Sequence, residues 1–526
     1  MHEFDTQQVR ITVGPANEKG WRNLTLAPGE PPLESPPGVT ARSLVSLVHI
    51  SDLHICDAQS PARMELLDRF ADPHHPFSAL VKLVGAYRAQ EILSTQTLDA
   101  MVRKINVLES SFSKRPIDGV VITGDVTDNA QGNELNWYLT LLHGGTLHPD
   151  SGDTSKWEGV ASITAERYDR SYWNPEGTPP GQEDDFPRSL YGFPVIPGLT
   201  DAVRQPFLAA GLRHPWFATH GNHDALVQGT VPPSAVLNGY AVGDRRLIEL
   251  PSDLDLMEAS GSLNMVGPIT SPDLSNGTFV EQGSDVSRIL NDEFTWARLH
   301  TECDHDHGPS SAQVESGEKY WVRDVGDIRL ISLDTVNIHG GWQGSIDRTQ
   351  LRWLDSTLAE NQNGDNPKYV VILSHHPAPT LFNLYSPEGE EPRVGEEELV
   401  SLLTNYSSVI LWLAGHNHDH RVDLVGNVNG ARGFWHIQTA SNIDWPQQGR
   451  LVEIFEEDGR LIIATSVFDH LGPVDPSFAS EDLKRTVNLA GISRLLSANH
   501  WQRRSGEFDL LLSSGALEDR NRYLSL

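Results

Sequence analysis

Short apolar runs rich in β-branched residues recur along this chain, and five of them end in the same way. Leu47-Val48-His49-Ile50 leads into Ser51-Asp52-Leu53-His54, Val120-Val121-Ile122 into Gly124-Asp125-Val126-Thr127-Asp128, and Trp216-Phe217-Ala218 into Gly221-Asn222-His223-Asp224. Val370-Val371-Ile372-Leu373 leads into Ser374-His375-His376-Pro377, and Val409-Ile410-Leu411-Trp412-Leu413 into Gly415-His416-Asn417-His418. Runs of this kind, stopped by Gly or Ser, predict buried strands. The polar residues then fall on loops just past the strand ends, where open α/β sheets hold their ligands.

Between these runs the period changes. Leu98, Met101, Val102, Ile105, Leu108 and Phe112 recur at three- and four-residue spacing, which predicts an amphipathic helix within 78–112. Glu134 to Leu139 begins another covering helix. Asp347 and Gln350 form a capping box ahead of Leu351, Leu354 and Leu358, and Leu399, Leu402 and Leu403 mark a further helix. Tyr320–Arg323 and Ile328–Thr335 predict a hairpin turning at Gly326-Asp327. The runs 435–439, 451–455 and 461–465 are expected to complete a second sheet.

The remaining stretches lack period. Residues 1–44, with Pro-rich 27–32 and 36–38, predict an extended arm on the surface. The catalytic body is then expected over 45–470, interrupted by insertions at about 143–214 and 225–318. A loop as long as the first is usually functional, and its ends leave from chemistry-bearing strands, so it is expected to form a rim or lid. Residues 471–526 are expected to form a mostly helical tail.

The five fragments offer Asp, His, Asp, Asn, His, His and His. That oxygen and nitrogen set, without thiolate, suits intermediate divalent metals (Mn, Fe, Co or Zn) better than Mg or Ca. Seven ligands exceed the need of one such ion and suffice for two if one carboxylate bridges. Paired ions can activate a hydroxide and polarise a phosphoryl group. The cluster Leu299 to His307 contains Cys303, His305 and His307, but its spacing matches no closed zinc pattern. Cys56 and Asp57 are expected to shape their loop, His420 to lie on the surface, and Asp334 to be structural.

In order and wording the five fragments resemble the signature blocks of the calcineurin-like metallophosphoesterase superfamily: D-x-H, G-D-x-x-D, G-N-H-D, H-x-P and G-H-x-H. The long gaps between them are similar to those of a bacterial branch with large insertions. The resemblance implies an α/β fold, a four-layer α/β/β/α sandwich with long insertions forming a cap or rim. It implies that Asp52, His54 and His418 hold one divalent metal, that Asn222, His375 and His416 hold a second, and that Asp125 bridges them. His375 is preferred to His376 because the family's ligand stands two positions before the proline. His223 is implied to lie near the phosphate, stabilising it or protonating the leaving oxygen, with Asp224 orienting its imidazole and Asp128 as an outer partner. The implied activity is hydrolysis of a small phosphate ester by in-line attack of a metal-bridging hydroxide. Phosphodiester or broad specificity is favoured over a phosphomonoesterase or nucleotidase, since nothing marks a nucleoside-binding domain. A catalytically silent scaffold on this fold would have replaced ligands, and all seven are present.

Composition narrows the partners. With 71 Asp and Glu against 40 Lys and Arg, the formal net charge is −31. Such a field repels nucleic acid and anionic membranes, and an anionic ester would need the local positive charge of metals to bind. No run of 18 apolar residues predicts a membrane span. Two cysteines imply no disulfide framework. The first residues as given lack a basic, then apolar leader, which predicts a cytoplasmic protein and leaves an exported form open. No G-x-S-x-G elbow indicates a serine hydrolase.

Overall fold

A computed structural model describes residues 6–78, 85–110, 112–162, 164, 166–252, 274–301, 307–426, 433–503 and 509–526. Two six-stranded sheets organise it. The first runs Arg522–Ser525, Arg460–Asp469, Gln448–Glu457, Arg42–Ile50, Gly119–Ile122, Trp216–Ala218; the second runs Trp321–Val325, Ile328–Ser332, Tyr369–Leu373, Val409–Ala414, Phe434–Gln438, Arg421–Val425. Strand 42–50 pairs parallel with 119–122, which pairs parallel with 216–218; strand 369–373 pairs parallel with 409–414. The strands that precede the five fragments therefore point the same way within each sheet, and their carboxyl ends gather along one edge.

Burial explains why these runs are apolar on both faces. Val45, Leu47, Val121, Val452 and Ile463 of the first sheet share one core cluster with Leu330, Val371, Leu373 and Leu411 of the second. The other face of the first sheet packs on helices Ser94–Ile105 and Gly132–His143 through Leu98, Met101, Leu135 and Tyr138. Helices Arg348–Asn363 and Glu396–Thr404 cover the second sheet with Leu354, Leu358, Leu399 and Leu403. Asp347 caps its helix as expected, accepting from the Gln350 amide.

Several expectations are corrected. The helix predicted within 78–112 spans only Ser94–Ile105 among the described residues. Asn106 ends it by turning its side chain to the backbone of Gly211 and Arg213. Strands 448–457 and 460–469 belong to the first sheet, because the first of them pairs with 42–50. Their tight turn places Asp458 and Gly459 at positive φ (50° and 76°), the geometry that two-residue hairpins favour. The N-terminal arm contains a two-stranded sheet, Val9–Ala16 with Arg22–Pro28, whose Ile11 and Leu24 pack against Trp445 and Leu495. Its apolar alternation (Val9, Ile11 and Val13 facing Leu24 and Leu26) outweighs the prolines, which fall toward the strand ends at Pro15 and Pro28.

The C-terminal tail is also more than helical. Helix Thr486–Ser497 packs along Ser94–Ile105, and Arg522–Ser525 forms the edge of the first sheet against 460–469. Segment 143–214 closes at its base through paired strands Gly145–Leu147 and Phe207–Ala209, and buries Trp173, Phe193 and Ile196 against Leu489, Ile492 and Trp501.

Candidate dinuclear metal centre

The sheet edge brings the polar fragments together. Asp125 Oδ2 lies 3.1 Å from His375 Nε2 and 3.8 Å from His54 Nε2, between the two rings. His54 Nε2 and His418 Nε2 stand 3.2 Å apart, and His418 Nε2 is 3.4 Å from Asp52 Oδ1. His416 Nδ1 is 3.2 Å from His375 Nε2, while its backbone N–H donates to both oxygens of Asp52. Ligand atoms of Asp52, His54 and His418 lie within 4.8 Å of one another, as do those of Asp52, Asp125 and His375.

The rings are held from behind. His54 Nδ1 faces Asp128 Oδ1 at 3.0 Å, His418 Nδ1 faces Asp444 Oδ2 at 2.8 Å, and His375 Nδ1 donates to the Thr123 carbonyl at 2.7 Å. With the proton on Nδ1, each neutral ring turns the lone pair of Nε2 inward. Several lone pairs and two carboxylates then face one another over little more than 3 Å, an arrangement that calls for positive charge between them. Electrostatics agrees: burial lowers the pKa of His375, but Asp125 beside it more than offsets this and pushes it up to about 9. Burial likewise opposes the charge on His418, which Asp52 and Asp444 bring up to about 8. Burial raises Asp125, yet His375 and His223 hold its carboxyl well below the usual range.

Asn222 starts the short helix Asn222–Ala225. Its Nδ2 donates to the Gly229 carbonyl, and its buried Oδ1 has no hydrogen-bond partner among the described residues. An orphaned buried oxygen costs about 1–3 kcal/mol unless something positive meets it. Gly229 sits at φ 62°, and a Cβ there would come within 2.2 Å of the His223 ring. The backbone is strained at the candidate ligands themselves. Asp52, His54, Asp125, His416 and His418 all adopt positive φ, between 43° and 70°. Non-glycine residues rarely do so, and such outliers gather at functional sites.

His376 is near but occupied: Nδ1 meets Thr335 Oγ1 at 2.8 Å and Nε2 donates to the Trp342 carbonyl at 3.0 Å. That leaves it no free nitrogen, although it lies close to His375 and His416. The expected role of Asp224 is corrected. Its Oδ1 accepts from the Val126 and Thr127 amides and its Oδ2 from Gly221, so it knits two loops together. The His223 ring is held instead by the Asp128 carbonyl, 2.6 Å from Nδ1. His420 is corrected too, being buried and bonded to Gln448 and Arg450.

Asp334 serves structure, pairing with His220 and Lys319. Asp57 joins Ser151 to Arg288, shaping its loop, and Cys56 is buried beside Arg63. His300 and His307 pack on Trp296 and Trp216 as core rings; Cys303 and His305 lie outside the described residues.

Sequence reasoning missed Asp444 and the arginines behind it. Arg88 and Arg503 both contact Asp444, and Arg63 and Arg88 contact Asp128. The signal was present: Ser441-Asn442-Ile443-Asp444 follows the apolar strand Phe434–Gln438, a sixth instance of the same pattern.

This buried Asp/His centre at the carboxyl edge of two sheets defines a metal-dependent hydrolase. Residues 195–420 match the family model of the calcineurin-like phosphoesterases. The matched stretch holds Asn222, His375, His416 and His418; Asp52 and Asp125 precede it and join it through the first sheet. No curated protein sequence matches the chain. Solved structures are more distant. A dimetal phosphatase from Danio rerio is 12% identical with a TM-score of 0.35, over 80% of this chain and 96% of that one. The calcineurin-like phosphoesterase YfkN from Bacillus subtilis is 11% identical, TM-score 0.25, over 86% and 97%. The sulfate thiohydrolase SoxB from Thermus thermophilus, in complex with glycerol, is 11% identical, TM-score 0.29, over 83% of this chain and 58% of its own.

Proposed function

We propose that this chain hydrolyses small phosphate esters, with diesters or a broad range of esters as substrates, using two divalent ions of Mn, Fe, Zn or Co. Asp52, His54 and His418 would hold one ion and Asn222, His375 and His416 the other, with Asp125 between them. The observation that carries this reading is the set of inward Nε2 atoms around Asp125 Oδ2, together with the unpartnered Asn222 Oδ1. The ring nitrogens crowd one another and the carboxylates, and Asn222 Oδ1 meets no hydrogen-bond donor among the described residues, so donor atoms of the type these metals prefer converge on one place. When bound, such a pair supplies Lewis-acid charge and a nucleophile at neutral pH.

The protein's own groups do the rest. The three outer anchors, Asp128, Asp444 and the Thr123 carbonyl, keep the ligand rings from rotating and fix their tautomers. His223 packs edge-on against His54, with ring centroids 4.6 Å apart, and its Nδ1 is committed to the Asp128 carbonyl. Its Nε2 is therefore the atom left to meet a phosphate oxygen, or to hand a proton to the departing one. The carboxylates buried in the centre would repel an anionic ester, so binding depends on their charge being neutralised by the ions.

Metal analysis of the purified protein, with hydrolysis of mono- and diester panels after reconstitution with Mn, Fe, Zn and Co, tests the proposal. Two equivalents of metal and metal-dependent turnover are expected. Protein that stays metal-free and inactive under every reconstitution would overturn it.

A further inference from the structure

One side of the centre is walled by aromatic rings that nothing in the mechanism uses. Trp342 lies nearly parallel to His416, with centroids 5.8 Å apart and planes 18° apart, and Phe382 stands perpendicular to Trp342 at 5.9 Å. Both rings face solvent, as does nearby Leu384: their exposures are 37%, 47% and 51%. Large apolar side chains grouped in the open beside a strongly polar centre are costly to leave wet, and such patches mark binding surfaces.

The corner is built rigidly. The Trp342 carbonyl is fixed by His376 Nε2. Asn383 donates to the Gly340 carbonyl, and Asn337 donates back to the Asn383 and Tyr385 carbonyls, so the two loops that carry the rings are laced together. Gly341 sits at φ 89°, where a Cβ would come within 2.9 Å of Asn383 Nδ2. A corner held this way loses little entropy when a ligand settles into it. The opposite side differs: behind His418 lie Asp444, Arg88 and Arg503. The centre is therefore ionic on one flank and apolar on the other.

Building on the phosphoesterase reading above, we infer that the substrate is an ester whose leaving group carries a planar aromatic body. That body lies on Trp342 with its edge against Phe382, and the phosphate reaches the centre beside His416. Small aliphatic alcohols would leave the corner unfilled, and a charged leaving group would gain nothing from it.

The test compares phenyl with 2-naphthyl phosphate, each as the monoester and as its methyl diester, whose aryl leaving groups have similar acidity but different area. After metal reconstitution, the wild-type enzyme should favour the naphthyl ester in kcat/KM by roughly tenfold, the scale of one added aromatic contact. Trp342→Ala should bring that ratio close to one, and Trp342→Phe should keep most of it. Equilibrium dialysis of 2-naphthylmethylphosphonate, which is not hydrolysed, should show the same order of affinities without turnover. Equal naphthyl preference in the wild type and in Trp342→Ala, with active enzyme in both, would overturn the inference while leaving the phosphoesterase reading intact. Absence of hydrolysis of every ester would instead bring down that reading, and this one with it.

Discussion

Asp125 is the residue on which the centre turns. One carboxylate oxygen lies between His54 and His375, and the other accepts the His223 backbone N–H. Asp125→Asn keeps the size and the accepting oxygen but removes the charge. The expected result is a folded protein whose kcat falls further than the roughly 100-fold typical of a lost outer hydrogen bond. Circular dichroism checks the fold, and a variant near wild-type activity would contradict the bridging role. Asp444 acts one step out, through His418. Asp444→Asn should weaken metal retention by roughly 10- to 100-fold, read by titration with a chelator, and unchanged retention would make the contact merely structural.

Among the elements, the short helix Glu65–Ala71 joins the body to the tail. Asp68 accepts from the Ala86 and Tyr87 amides and from Gln502, with Asp72 close by. Burial, aided by Asp72, pushes the Asp68 carboxyl up to about 7, and burial takes Asp72 up to about 6. An unfolded Asp titrates near 3.9. Because the folded value is the higher one, this stabilising contribution is complete below about pH 4. It fades as the pH rises through 6 and 7. Asp68→Asn, with Gln502 able to turn its amide, cannot ionise. Its stability relative to wild type should therefore grow by roughly 1–3 kcal/mol between pH 4 and 8. Parallel Tm-versus-pH curves for the two proteins would show that Asp68 does not titrate in this window.

At the scale of the whole molecule, the chain ends share in the body. The Asn521 side chain accepts from Val467 N–H, and buried Leu524 pairs against Ile463 at the edge of the first sheet. Deleting residues 521–526 would expose Leu524's packing site, worth roughly 2 kcal/mol, and open a strand edge to other chains. The expected outcome is a lower Tm with concentration-dependent aggregation, followed by calorimetry and light scattering. An unchanged melting curve would mean the tail is dispensable.

Strand runs, covering helices and the ligand-type residues were legible in the amino-acid order, because burial and coordination each demand particular side chains at short spacing. Local pattern alone erred where distant partners decide. The same alternation in 448–457 suits either sheet, and only pairing with 42–50 chose the first. Asp224 and His223 are neighbours in sequence, yet the helix turn sends one to the Val126 and Thr127 amides and the other to the Asp128 carbonyl. His420 looked like a surface residue until the first sheet's Arg450 met it from 30 positions away. Which atoms can share a cation, which rings are pinned, and where the aromatic wall stands are set by contacts between segments far apart in the chain. Their energies depend on distances and burial that no local run of residues encodes.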